Sequence, residues 1–295
     1  MSASPVSMAG KVCIISGGTS GIGKATATGL ARLGATVVVL SRESPRGASV
    51  ATEIAADSGN EAVSFMGADL ASQASIRQFA EAFSAEHPKL HVLVNCAHVY
   101  YTQRTETPDG LEAIFAVNYL APFLLTNLLL GALRKGAPSR VVNITDDWGM
   151  VHRAPLDFDD LQATKDYKPV RQHNRAKLAF FYFNHELGKR LDGTGVTVNG
   201  LYPGHVDTGL KGDVPWFTHV AYPVFKRLHV MRTPEEGAET PIYLASSAEV
   251  EGVTGQHFMN RKVVPEGTIP YDAEISRRLW DVSTELTHVS AEVSR

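Results

Sequence analysis

Short apolar runs rich in β-branched residues alternate along this chain with longer stretches whose apolar positions recur at the helical period. The runs fall at 12–16, 36–40, 62–66, 92–95, 140–145, 196–201 and, less regularly, 256–259. Between them the pattern predicts helices near 22–33, 46–56, 75–85, 110–133 and 171–191. Strand and helix in this rhythm describe an α/β fold, a doubly wound parallel sheet of seven strands with helices on both faces. No internal repeat, low-complexity tract or long linker divides residues 1–295, so a single domain is expected. The stretch 205–234 breaks the rhythm. It carries Trp216, Phe217, Tyr222, Phe225 and Met231, a concentration suited to a lid over an apolar ligand and equally to ordinary packing. Tyr100 and Tyr101, just past the fourth run, are placed to add to the same wall.

Composition narrows the possible functions. With 44% hydrophobic and 20% charged residues in 295, the chain can bury a sizeable core and is neither disordered nor collagen-like. A net charge of -3, from 28 Lys and Arg against 31 Asp and Glu, offers no net basic field for nucleic acid. Cys13 and Cys96 make neither a disulfide framework nor a zinc spacing, so no metal is expected and a reducing, cytoplasmic setting suits them. Residues 1–10 lack the basic and apolar regions of an export signal. The most apolar stretch, 120–133, is interrupted by Pro122 and Asn127. It reads as a buried helix too short to cross a bilayer, and no membrane anchor is expected.

The first strand runs into Ser16-Gly17-Gly18-Thr19-Ser20-Gly21-Ile22-Gly23, after which a helical pattern begins. Glycines there permit a tight turn and close backbone approach, and a helix N-terminus offers free N–H groups to a pyrophosphate. Strand before and helix after are the context of a Rossmann-type dinucleotide site. After the second strand stand Ser41 and Arg42, with no carboxylate for a ribose 2′-hydroxyl. Arg42 favours a 2′-phosphate and hence NADP(H), although a solvated loop arginine reads the same way.

The motif Gly17-x-x-x-Gly21-x-Gly23 resembles the short-chain dehydrogenase/reductase family. Asp69-Leu70, Asn95-Cys96-Ala97-His98, Asn118 and Pro203-Gly204 extend the likeness over nearly the whole chain. More narrowly, Arg104-Thr105-x-Thr107-Pro108-Asp109-Gly110-Leu111-Glu112, Arg140-Val141-Val142-Asn143, Lys177-Leu178-Ala179, Glu236-Gly237-Ala238 and Gly252-x-x-Gly255 resemble its retinol-dehydrogenase-like branch. The resemblance implies NADP(H) and a small apolar carbonyl or alcohol as substrate. By it, the turn containing Gly17, Thr19, Ser20, Gly21, Ile22 and Gly23 would hold the pyrophosphate and Arg42 the 2′-phosphate. Asp69 and Leu70 would lie at the adenine, Asn95 beneath the nicotinamide ribose, Lys177 on that ribose, and Pro203, Gly204 and Thr208 beside the carboxamide. Asp69 equally caps the next helix, and Asn95 equally satisfies a buried strand end. A homodimer through the helices at 110–133 and 171–191 is also implied.

Departures from the family pattern fall on the catalytic set, which is Asn, Ser, Tyr and Lys, with Tyr four residues before Lys. Asn118 and Lys177 are present, but His173 stands four before Lys177, and no neighbouring tyrosine restores the spacing. In place of the paired serines stand Thr145 and Asp146, followed by Asp147. If Asp146 is in register, a carboxylate replaces the hydroxyl that polarises a carbonyl and opposes the charge developing on its oxygen; a shift of one residue would put Thr145 there. Cys96 and His98 replace an asparagine and a glycine, and a side chain at 98 can intrude near the cofactor. Three accounts follow: Asp146 and His173 as an acid–base pair for proton transfer, elimination, isomerisation or cyclisation; His173 as proton donor in carbonyl reduction; or a cofactor-binding protein without catalysis. Asn118, Asp146, His173 and Lys177 are the candidate catalytic residues.

Overall fold

The computed structural model describes residues 6–147, 151, 154–207, 231–265 and 271–289. Strands β1 (Val12–Ser16), β2 (Thr36–Ser41), β3 (Val63–Gly67), β4 (Val92–Asn95), β5 (Ser139–Ile144), β6 (Val196–Tyr202), β7 (His257–Met259) and β8 (Lys262–Val263) form one continuous sheet. Its order is β3-β2-β1-β4-β5-β6-β7-β8. The first seven pair in parallel, as the apolar runs predict, and β8 returns antiparallel to β7. The eighth strand escaped sequence reading because its two residues are exposed and too few to show a period. Asn260 and Arg261 form its turn, both at positive φ.

Helices α1 (Gly21–Arg32), α2 (Pro45–Ser58), α3 (Gln73–Glu86), α4 (Ala113–Lys135), α5 (Pro169–Arg190), α6 (Pro234–Ser246) and α7 (Ala273–Thr287) cover the two faces. Alternate strand residues feed two separate cores. Ile14 and Val38 pack with residues of α3, α4, α5 and α7, whereas Cys13, Ile15, Val37 and Val39 pack with those of α1, α2 and α6. Cys13 behaves there as a small apolar side chain, its thiol pushed up to about 12 by burial. Helices α6 and α7 were not predicted. The first is marked by a capping box, Thr233 with Glu236, and by Pro234 in its first turn; it ends the stretch read as a lid.

Helix α4 corrects the expectation of a short, interrupted apolar stretch. It runs 23 residues without a break, long and apolar enough to cross a membrane by length and composition, and 94% of its apolar window is buried inside the fold. Pro122 is tolerated because a π-helical turn, Ala116–Leu120, widens the helix just before it and relieves the clash its ring would make with the carbonyl of residue 118. Helix α7 lies on α4 and α5. The Trp280 ring meets Phe123 edge to face with centroids 5.0 Å apart and stacks on Phe183 at 6.0 Å, and the Tyr119 hydroxyl meets Ser283 at 2.6 Å.

Candidate functional site

Between β1 and β4, which run parallel, the order in which the chain adds strands reverses, and beyond their carboxyl ends lies the place where open α/β sheets leave a crevice for a ligand. Gly17 and Gly21 take left-handed backbone, φ +68 and +50. A Cβ at Gly23 would lie 2.3 Å from the Gly17 carbonyl oxygen, and one at Gly17 would lie 2.8 Å from Cα of Ala97. Only glycine fits either place. Thr19 and Ser20 complete the turn, and Ile22 anchors α1 in the core. The side chain of Ser20 makes no cap bond, and no acidic residue occupies the first turn of this 12-residue helix. Its N-terminal N–H groups therefore suit an anion, and a pyrophosphate fits the turn.

The remaining cofactor candidates divide. Arg42 follows β2, exposed and with no carboxylate partner among the described residues. Asp69 accepts from the Ala71 N–H at 2.9 Å and donates its own N–H to Ser75 Oγ, a turn ahead of the next helix, whose cap is Ser72 and not Asp69; Leu70 packs at the edge of the core. Asn95 turns inward. Its amide donates to Asn143 at 2.9 Å and to Thr126 at 3.2 Å, and Asn143 donates onward to Asn184 at 3.1 Å. These buried amides tie β4 and β5 to α5. Pro203 accepts from Arg232 Nη1 at 3.3 Å, Gly204 is left-handed at φ +86, and Val206 pairs with Arg232 in a parallel bridge. Thr208 and the aromatic residues at 216, 217, 222 and 225 lie outside the described residues.

At the catalytic end, helical spacing sets His173 and Lys177 on one face of α5. Lys177 is buried and donates to the Ile144 carbonyl at 3.2 Å. Burial lowers its pKa, opposed by Asp146 and Cys96. The Thr145 hydroxyl donates to the Leu201 carbonyl at 2.9 Å, which removes it from the site. Asp146 lies close to His173, its Oδ2 3.6 Å from His173 Nε2. Burial and then the Lys177 charge hold His173 below its ordinary pKa, with Asp146 pulling the other way. Tyr167 does not stand in for the missing phenol; its hydroxyl donates to the Tyr101 carbonyl at 2.7 Å.

Two residues behave otherwise than the pattern implied. Asn118, in the π-helical turn, accepts from the Val99 N–H at 2.8 Å and donates to the Val99 carbonyl at 2.9 Å. Its amide latches the loop after β4. That loop is also held by Ser16 Oγ, which accepts from the Cys96 and Ala97 N–H groups. The latch aims His98 at His173, their Nε2 atoms 2.9 Å apart and their rings edge to face at 81°. His98 is held well below the ordinary histidine pKa by burial, Lys177 and His173. Sequence reading took His98 as an obstruction; its partnership with His173 depends on a long-range contact that no local spacing encodes.

A second support comes from Glu112. Fully buried, its carboxylate caps α4 by accepting from the Ile114 and Phe115 N–H groups and also accepts from Gln172 Nε2 at 2.8 Å. One side chain thus joins the start of α4 to the residue beside His173.

Residues 11–156 match the family model described as short chain dehydrogenase. Over 95% of its length the chain is 41% identical to human retinol dehydrogenase 14, covering 87% of that protein. It is 39% identical to human polyprenol dehydrogenase over 95% of the chain and 86% of the relative. Among solved structures, an uncharacterized protein from Mycobacterium paratuberculosis superposes with a TM-score of 0.76 at 28% identity, over 97% of this chain and 96% of that one. The NADP complex of Pseudomonas aeruginosa RhlG superposes at 0.68 with 26% identity, over 87% and 97%. Fold, glycine turn and these likenesses agree: the chain belongs to the short-chain dehydrogenase/reductase family, in its retinol-dehydrogenase-like branch.

Proposed function

We propose that the chain is an NADP(H)-dependent enzyme acting on a small apolar alcohol and its carbonyl, with His173 as the acid–base group in place of a phenol. The carrying observation is an imidazole one helical turn ahead of Lys177, with the Asp146 carboxylate 3.6 Å from its Nε2. NADP(H), when bound, supplies or accepts the hydride. Gly17, Thr19, Ser20, Gly21, Ile22 and Gly23 would hold its pyrophosphate, Arg42 its 2′-phosphate, and Asp69 and Leu70 its adenine. Lys177 would hold the nicotinamide ribose, with Asn95 behind it, and Pro203, Gly204 and Thr208 would flank the carboxamide.

Burial and the Lys177 ammonium keep His173 neutral near pH 7, the form that accepts a proton. As it takes the hydroxyl proton of an alcohol, the new imidazolium lies beside Asp146, which stabilises it as a triad carboxylate stabilises its histidine. In the reverse direction the same imidazolium returns the proton. An imidazole reaches less far than a phenol, so a water or a shifted substrate bridges the gap. The names of the relatives, retinol and polyprenol dehydrogenase, support an apolar alcohol. The free thiols Cys13 and Cys96 suit a cytoplasmic setting.

One observation favours a second reading, in which the His173–Asp146 pair shifts a proton with no net redox change. The Thr145 hydroxyl is committed to the Leu201 carbonyl while the Asp146 carboxylate lies by His173, where it would oppose negative charge on a substrate oxygen. The test supplies apolar primary alcohols of graded length with NADP+, and the matching aldehydes with NADPH, while product and reduced cofactor are both measured. One cofactor converted per product, abolished in His173→Phe, is expected. Product without net cofactor conversion moves the assignment to the second reading. Cofactor binding with no product in either direction overturns both.

A further inference from the structure

We propose that His98 and His173 act as one proton-carrying unit, in which His98 takes the proton onward from the imidazole that deprotonates the substrate. The inference rests on the assignment of His173 as the acid–base group and extends it to a residue that the family's catalytic set lacks. Its basis is geometric. Two Nε2 atoms 2.9 Å apart must share one hydrogen, because two lone pairs would repel and two N–H groups would collide. Either ring serves as donor in the same bond.

The site holds this arrangement from several sides. Ser16 Oγ fixes the backbone at Cys96 and Ala97, and Asn118 fixes it at Val99, so His98 sits between two anchored residues. Charged and titratable groups face the pair from every neighbouring element. Lys177 approaches from α5 and Asp146 from the end of β5. The Tyr100 ring lies 6.0 Å from that of His173, on the loop after β4 that also carries Cys96. Tyr202 on β6 feels Asp146 and Asp147. Lys177 opposes positive charge on both rings, and Asp146 favours it on His173. The unit therefore accommodates one added proton and resists a second.

With His173 donating its Nε2 hydrogen to His98, Nδ1 of His173 is the acceptor; the Asn174 side-chain oxygen, 3.3 Å from that nitrogen, swings aside for the substrate to reach it. The substrate O–H bond breaks and an N–H bond forms at that Nδ1. The Nε2–H bond of His173 then breaks as one forms on His98 Nε2, and the positive charge moves with the proton. The O–H electron pair stays on oxygen, closes the carbonyl, and the hydride leaves carbon for NADP+. Asp146 stabilises the charge while it rests on His173.

The test compares the wild type with His98→Gln, which keeps bulk without a titrating nitrogen, and His98→Gly, which restores the family residue. Removing a proton-transfer partner is expected to slow turnover by roughly 10- to 100-fold with KM little changed. The acid limb of the pH–rate profile should move in His98→Gln, and added imidazole should restore part of the rate of His98→Gly. Independently of turnover, ring C–H signals in the wild type should report one proton taken up by two coupled imidazoles, and His173 alone should titrate in His98→Gln. A His98→Gln enzyme with wild-type rate and profile overturns the relay while leaving His173 as base. Independent titration of the two rings in the wild type also overturns it, even where no alcohol is turned over. So does zinc sulfate if it abolishes both titrations and turnover requires it, since the rings would then hold a cation and not a proton.

Discussion

The two ends of the crevice have diverged to different extents. At the β1–α1 turn each family position is kept, and the reason is steric: Gly17 and Gly23 touch backbone, and no neighbour can give way. About 75 to 155 residues on in sequence, the family pattern is, on the reading proposed above, replaced at 96, 98, 146 and 173, and of these His98, Asp146 and His173 meet side chain to side chain. Backbone-to-backbone contact permits one residue type. A cluster of side chains tolerates exchange of all its members provided that charge and hydrogen bonding close again, as in the proposed replacement of a phenol, a hydroxyl and a glycine by two imidazoles and a carboxylate. Cofactor geometry and proton chemistry are separable layers of this fold.

That separation breaks most visibly at His173. Replacing it by Phe should lower turnover by roughly 10²- to 10⁴-fold, the usual contribution of a positioned acid or base, while NADPH still protects the chain in a thermal-shift titration; loss of both would join the two layers. Gly23→Ala probes the opposite end. Its Cβ must push against the Gly17 carbonyl, at a cost of about 1–3 kcal/mol as for other overpacked sites, read as a lower denaturation midpoint and lost NADPH protection. Arg42→Ser should weaken NADPH by about tenfold and leave NADH nearly unchanged, the effect of one charge-assisted contact at an exposed position, measured by fluorescence titration at two salt concentrations. The smallest effect concerns pH and stability. His98 and His173 are held below 6.5 in the fold, and buried His257 is pushed down to about 3. The unfolded chain therefore binds more protons as pH falls below 6.5, so stability is complete above that value and declines as the pH drops toward the folded values. Denaturant melts at pH 7.5 and 5 should show the decline, and His98→Gln should make it shallower.

Sequence revealed the layers unequally for the same physical reason. Strands β1 to β6 are long enough, and carry enough apolar residues, to announce themselves; β8, two exposed residues, is not. Helix α6 carried a readable start in Thr233-Pro234-Glu235-Glu236 that was absorbed into the supposed lid. Helix α4 was legible as a buried helix through Pro122, although proline ordinarily ends one; the widened turn that accommodates it has no sequence signature. Within the site, the four-residue spacing of His173 and Lys177 follows from helix geometry. What bears on the choice between Thr145 and Asp146 does not, since it is the bond of the Thr145 hydroxyl to the Leu201 carbonyl on the adjacent strand. His98 was legible as a departure but not as a partner.

The π-helical turn at Ala116–Leu120 also constrains how this chain can change length. A regular helix rotates about 100° per residue, so excising one residue from this stretch would restore ordinary winding and swing Asn118 by about that angle off Val99. Helix and sheet would lose little, but the loop bearing His98 would be released. A one-residue deletion in the interior, far from any exposed loop, is thus a conservative edit to the scaffold and a severe one to the chemistry.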